Sequence, residues 1–195
     1  MVWNKRLLPI IKLQYVVQYR VKKRGFDMKF NYCPSCGTKA IQKEIGDEGE
    51  IPYCPSCEVP LWDMFTSCII CAVVNEYGEI ALLRQDYVSK TNYVCVAGVI
   101  KLGESVEETA YREVKEELGL DVSELEFVQT YPYIKKEMLM IGFHATVKKA
   151  EFALSKEVDT AEWVKLEQAL DKLREGSIAW QLVNEVMKKS RKEKE

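Results

Sequence analysis

Two copies of Cys-Pro-Ser-Cys, at Cys33–Cys36 and Cys54–Cys57, stand 17 residues apart in a stretch rich in Cys, Pro, Gly and charge. A segment of about 30 residues with so few apolar side chains does not bury enough surface to fold unaided. The spacing is that of a four-thiolate zinc site. Four soft thiolates close a tetrahedron and leave no position for water. The Zn²⁺ expected at Cys33, Cys36, Cys54 and Cys57 is therefore structural, and its binding supplies the missing folding free energy. The competing reading is free or redox-active thiols. Cys68, Cys71 and Cys95 look different, because Cys68-Ile-Ile-Cys71 lies inside an apolar strand-like run, where sulfurs pack as small hydrophobes.

Composition sets three regions apart. Residues 1–28 form a basic N-terminal extension, with seven Lys and Arg and no acid in residues 1–26. Residues 29–61 are the expected zinc ribbon, and residues 62–195 alternate strand-like and helix-like segments. With 47% hydrophobic and 30% charged residues, the chain has material for a proper core. A net charge of -2 implies no global attraction to nucleic acid. No run reaches the roughly 18 apolar residues of a membrane span. No secretory leader is read, so seven cysteines point to a reducing, cytoplasmic setting.

In the large region, Thr66 to Val74 is a continuous apolar run suited to a buried strand. Asn75-Glu-Tyr-Gly78 supplies turn residues, and Ile80 to Leu83 reads as the returning strand. Tyr93 to Ala97, Leu125 to Tyr133 and Met138 to Val147 read as further strands. Ser105 to Leu118 repeats apolar residues at Val106, Ala110, Val114 and Leu118 and meets Gly119, which predicts a helix ending there. Two more helices are predicted near Leu166–Arg174 and Ile178–Lys189. The mixture argues an α+β fold, or a sandwich with helices on its faces.

The helix over 105–118 carries Glu113, Glu116 and Glu117 within an arc of roughly 100°. Like charges at i, i+3 and i+4 repel and weaken a bare helix. A hard divalent cation removes that conflict, since Mg²⁺ or Mn²⁺ prefers carboxylate oxygens and keeps waters for chemistry. A solvated acidic face paired with Arg112 and Lys115 is the alternative.

Gly98, five residues, Glu104, seven residues, then Arg112-Glu113-Val114-Lys115-Glu116-Glu117-Leu118-Gly119-Leu120 resembles the Nudix box at nine defined positions in 23 residues. The resemblance implies an α/β/α sandwich in which the box forms loop–helix–loop, here preceded by the ribbon. It implies that Glu113, Glu116 and Glu117 bind activating Mg²⁺ or Mn²⁺. A carboxylate of the site, Glu116 or Glu113, handles the attacking water; Arg112 holds a box glutamate, and Glu104 supports the loop.

A zinc ribbon ahead of such a domain resembles the NADH pyrophosphatase branch, which cleaves NADH or NAD⁺ to a nicotinamide mononucleotide and AMP. Gly98-Val-Ile-Lys-Leu-Gly-Glu104 is similar to its glycine loop, with Lys101 in place of an acid and Val99 a substrate contact. Glu157-Val-Asp-Thr-Ala-Glu-Trp163 is similar to the segment whose first glutamate, Glu157, is a further metal ligand. Ser177-Ile-Ala-Trp-Gln-Leu182 resembles the stretch that contacts nucleotide through Ala179. The branch's Ser-Gln-Pro-Trp-Pro-Phe-Pro-any-Ser motif is absent; Gln129-Thr-Tyr-Pro-Tyr133 stands there, with Tyr131 and Tyr133 as stacking candidates. Trp62, Phe65, Tyr87 and Tyr93 are read either as core or dimer-interface packing residues or as rings that stack on a base, and the lone His144 as a packed polar residue. ADP-ribose therefore stays a competing substrate, and a non-enzymatic nucleotide sensor the competing class. RNA is expected as a partner only if the basic residues 1–26 bind it. A small-molecule dinucleotide is the expected partner, and a homodimer the expected assembly.

Overall fold

The computed structural model of the chain describes residues 30–192, so the basic extension lies outside the described residues. The chain divides into two compact units with the boundary after Asp63.

The first unit holds three short antiparallel strands, β1 (Ile41–Glu44), β2 (Glu50–Cys54) and β3 (Val59–Pro60). Its core is Cys33, Ala40, Cys54 and Leu61, with Phe30 packed against it. Two of those four are cysteines, so little apolar burial holds the unit together. In each knuckle the residue after the second cysteine is left-handed, Gly37 at φ +74° and Glu58 at φ +57°. That reversal folds each Cys-Pro-Ser-Cys back on itself.

The second unit is a mixed sheet between helices. Its strands are β4 (Thr66–Asn75), β5 (Glu79–Arg84), β6 (Val96–Val99), β7 (Val122–Tyr133), β8 (Met138–Val147) and β9 (Thr160–Lys165). They lie in the order β7-β8-β4-β5-β9, and β6 pairs with β4. Only β4 and β8 run parallel, from Thr66↔Met138 to Asn75↔Val147. The period of two along β4 divides the core. Ile70, Ala72 and Val74 share one cluster with Leu182, Val183 and Val186 of α3 (Ile178–Lys192). Ile69, Cys71 and Val73 share the other with Ala110, Val114 and Leu118 of α1 (Val106–Leu118). A strand covered on both faces needs an unbroken apolar run, which is why Thr66 to Val74 does not alternate. Cys68, Cys71 and Cys95 are buried in this sheet region.

Asn75 makes the β4–β5 turn by accepting at Oδ1 from the N–H groups of Tyr77 and Glu79, and Gly78 follows at φ +68°. Helix α1 starts at a reciprocal capping box, Glu108 N–H to Ser105 Oγ and Ser105 N–H to Glu108 Oε2, and ends at Gly119 at φ +74°.

Three sequence expectations are corrected. The strand β9 is absent from the reading because Thr160–Lys165 is a polar edge strand, paired only with β5. The helix predicted over Leu166–Arg174 is a 3-10 turn, Leu166–Gln168, and a single helical turn, α2 (Ala169–Lys172). Leu173 leaves it extended and bridges Tyr93. The run Tyr93 to Ala97 becomes a strand only from Val96, since Tyr93 and Val94 make isolated bridges. Among the described residues, no helix is long and apolar enough to cross a membrane.

Candidate active site

Strand β6 delivers the chain from the centre of the sheet into the loop that leads to α1. Gly98, in β6 opposite Ile69, has no side chain, and Glu113 of α1 fills the space. A Cβ built on Gly98 would lie 1.9 Å from Glu113 Oε1 and 2.0 Å from its Cδ. The first glycine and the first helix glutamate of the box are thus a steric pair. Gly98→Ala is expected to evict Glu113 and cut turnover by at least about a hundredfold, the loss that can follow a shift of about an ångström in a candidate active site. The thermal midpoint should move little. Activity near wild type would show that Glu113 need not sit there.

Arg112 binds the loop to the helix. Its Nε and Nη2 donate to both oxygens of Glu104, at 2.6 and 2.8 Å, and Nη2 also reaches the Val99 carbonyl at 3.3 Å. Its Nη1 donates to Glu113 Oε1 at 2.6 Å and to Glu116 Oε2 at 3.1 Å. Glu104 further accepts from Lys101 N–H and the Thr109 hydroxyl. The Arg112 guanidinium is the main reason its carboxyl is pulled down to about 2. One planar cation therefore organises three carboxylates, a task that Lys cannot perform with a point charge.

The three helix glutamates sit at different depths. Glu116 is half-exposed, with 54% of its side chain in solvent. Glu113 is nearly covered, and burial raises its carboxyl against the lowering pull of Arg112. Glu117 is only 4% exposed. Burial pushes it up to about 7, opposed by a hydrogen bond from Gln85 and reinforced by the charge of Glu113. Gln85 Nε2 donates to Glu117 Oε1 at 2.8 Å, while Glu117 Oε2 is buried without a hydrogen-bond partner. A carboxylate this buried and half-satisfied is costly unless a positive charge joins it. The charge of Glu113 reaches it, and carboxylate oxygens suit a hard divalent cation, but the oxygens of Glu113, Glu116 and Glu117 do not lie within 4.8 Å of one another as the four cysteine sulfurs do.

Glu157, expected as a further ligand, is exposed on the segment between β8 and β9, and its negative charge also raises Glu117. Val99 is exposed at the end of β6, and Tyr133 is half-buried at the end of β7. Tyr131 is corrected: it is 3% exposed and belongs to the core on the α3 side, against Gly142. Its ring is spent on packing and offers no face to a base. Ala179 is buried in the same cluster. His144 is half-buried in β8, as its strand position suggests. Gln85 went unread in the sequence: a polar residue ending an apolar strand carries no local sign that it meets an acid 32 positions away. The cavity of about 530 Å³ lined by Tyr77, His144, Lys165 and Arg191 shares no residue with this site and mixes both signs of charge, so chemistry rather than size locates the site.

In the first unit, the Sγ atoms of Cys33, Cys36, Cys54 and Cys57 lie within 4.8 Å of one another, the one such group of possible metal ligands among the described residues. Tetrahedral zinc with Zn–S bonds near 2.3 Å sets sulfurs about 3.8 Å apart; Cys36 and Cys54 are 3.5 Å apart. The Thr38 hydroxyl brings Cys36 down to about 6, whereas Cys36 and Cys54 push Cys57 up to about 12. Crowded thiols that shed protons unequally are poised to give up the rest to a cation.

Residues 64–184 match the NUDIX domain family. The chain belongs to the NUDIX family. Among curated proteins it is 29% identical over 154 residues to the NAD-capped RNA hydrolase NudC of Pseudomonas aeruginosa, covering 78% of this chain and 54% of that protein. It is 34% identical over 156 residues to the mouse mitochondrial NAD(P)H pyrophosphatase NUDT13, covering 77% and 43%. With the human NAD-capped RNA hydrolase NUDT12 the figures are 30% over 155 residues, 76% and 34%. The matched part thus spans about half or less of each relative. Among solved structures, a NUDIX hydrolase from Nitrosomonas europaea superimposes with a TM-score of 0.61 at 18% identity, over 80% of this chain and 88% of that one. A MutT protein from Methanosarcina mazei does so with a TM-score of 0.53 at 25% identity, over 69% and 99%. The α+β NUDIX fold expected from the box is the fold observed, and the four gathered cysteines fit the ribbon expected ahead of it.

Proposed function

We propose that this NUDIX protein hydrolyses the phosphoanhydride bond of a nucleoside-diphosphate-linked substrate, with NADH or NAD⁺ cut to a nicotinamide mononucleotide and AMP. The observation that carries the reading is Glu117: an acid 4% exposed, clasped on one oxygen, unpartnered on the other and within the field of Glu113. Glu113, Glu116 and Glu117, with Glu157, would hold Mg²⁺ or Mn²⁺. Such an ion screens the pyrophosphate, acidifies water and stabilises the leaving phosphate. Arg112 fixes Glu113 and Glu116 relative to the loop, so the site is organised before substrate arrives. A carboxylate of the site accepts the proton of the attacking water as the P–O–P bridge breaks and the displaced phosphate leaves. Val99 and Tyr133 are the substrate contacts that remain accessible. The four cysteines hold a structural zinc in a ribbon ahead of the hydrolase domain.

The relatives' names, an NAD(P)H pyrophosphatase and NAD-capped RNA hydrolases, favour an NAD-type substrate. ADP-ribose stays in the test because Gln129-Thr-Tyr-Pro-Tyr133 replaces the branch's substrate motif. The test is a panel of NADH, NAD⁺, ADP-ribose and NAD-capped RNA with Mg²⁺ or Mn²⁺, read by product mass. AMP released from NADH or NAD⁺ and not from ADP-ribose is the expected result. Stoichiometric binding with no turnover under either ion would replace the enzyme with a nucleotide sensor.

A further inference from the structure

The loop that follows β5 lies outside the box yet is fastened to it. Gln85, 4% exposed, donates to Glu117 at 2.8 Å. Asp86 N–H donates to Asp159 Oδ2 at 2.8 Å, and Asp159 N–H donates to the Arg84 carbonyl at 2.9 Å, so the loop is also tied to the segment that carries Glu157. The Gln85 carbonyl accepts from both Val88 and Ser89 N–H at 2.9 Å. At the far end the Arg84 guanidinium donates to the carbonyls of Lys90 and Thr91, at 2.8 and 3.1 Å. Within these clasps sits Tyr87, 71% exposed.

A large ring left in water on a loop held at so many points is not part of this chain's core, so of the roles read for Tyr87 in the sequence core packing falls away. Nor does it stand far from the chemistry. After partial burial, the charges of Glu117, Glu157 and Glu113 raise its phenol, so the ring lies within the field of the box and of the Glu157 segment together. An exposed aromatic ring on a fastened backbone has few torsions left to lose when another ring lands on it.

We propose that Tyr87 is a substrate-binding residue whose ring, carried on a loop fastened to the box by the hold of Gln85 on Glu117, stacks on an aromatic heterocycle of the dinucleotide. The inference rests on the proposed hydrolysis of such a substrate and names the side chain that selects its base. The diphosphate is drawn to the carboxylate-bound ions, and the attached heterocycle is captured beside them.

The experiment uses the full chain with Mn²⁺ on NADH, NAD⁺ and ADP-ribose, as wild type, Tyr87→Phe and Tyr87→Ala. Removing one base-stacking ring is expected to raise KM about tenfold in Tyr87→Ala, with kcat changed by less than about threefold. Tyr87→Phe keeps the face and should stay within about twofold of wild type. A rise for all three substrates assigns the contact to adenine, and a rise confined to NADH and NAD⁺ assigns it to nicotinamide; either sustains the proposal. An unchanged KM in Tyr87→Ala overturns it, and so does a KM loss shared equally by Tyr87→Phe, which would make the hydroxyl the contact. Melting curves of both variants should match wild type, because the ring is mostly in solvent. A wild type that turns over none of the substrates removes the hydrolase reading and this inference together, whereas an active wild type indifferent to Tyr87→Ala removes this inference alone.

Discussion

Glu117→Gln is expected to lower kcat on the best substrate at least about a thousandfold, a barrier increase of about 4 kcal/mol. The substitution is nearly isosteric, and the new amide still offers an oxygen to Gln85, so the contact at 2.8 Å can persist. What disappears is the negative charge, in a pocket where water is excluded and no other group replaces it. A lost structural contact would act through stability, and here the melting temperature should be close to that of wild type. Mn²⁺ affinity, followed by the paramagnetic resonance of the free ion, should fall alongside the rate. A variant within about tenfold of wild type would mean that α1 is not where the ions bind, since one pKa unit or one tenfold factor is within reach of ordinary rearrangement.

Cys54→Ser carries the other large effect. Cys54 is fully buried, its Sγ accepts from Cys57 N–H at 3.3 Å, and it stands in the four-residue core of the first unit. Apparent binding free energies of structural zinc sites are about 10–16 kcal/mol, comparable with the whole stability of a small domain, about 5–15 kcal/mol. Loss of one thiolate should therefore unfold residues 30–63 rather than loosen them. Wild type is expected to carry one zinc per chain by elemental analysis, and Cys54→Ser close to none. Hydrogen exchange should show amide protection lost across β1 to β3, and a strong chelator should reproduce this. Wild-type protein free of zinc, with those amides still protected, would dismiss the metal site.

The elements that were legible in the sequence are those whose signals are local. Helix α1 announces both of its ends, through Ser105 and Gly119, and β4 announces its burial through an unbroken apolar run. The box and the paired cysteines are legible because fixed chemistry demands fixed spacing. The missed features depend on distant neighbours. Strand β9 is polar because it lies at an edge, and only β5 makes it a strand. Periodicity puts Glu117 beside the apolar stripe of α1, yet says nothing of how deep it sits; that is decided by the sheet beneath and by Gln85. Tyr131 and Tyr133 are equivalent in the sequence, two residues apart on one strand, and it is α3 that covers the first.

The hydrogen bonds around the box also bear on what kind of ion the proposed site would favour. Glu113 has Oε1 committed to Arg112, Glu116 has Oε2 committed to the same guanidinium, and Glu117 has Oε1 committed to Gln85. While those bonds hold, each side chain would offer an ion one wholly unengaged oxygen. Calcium, with its taste for seven or eight oxygens and for carboxylates that clasp with both, would be poorly served by such a set. A small six-coordinate ion would be better served, with water and the oxygens of a diphosphate filling the places the protein declines to fill.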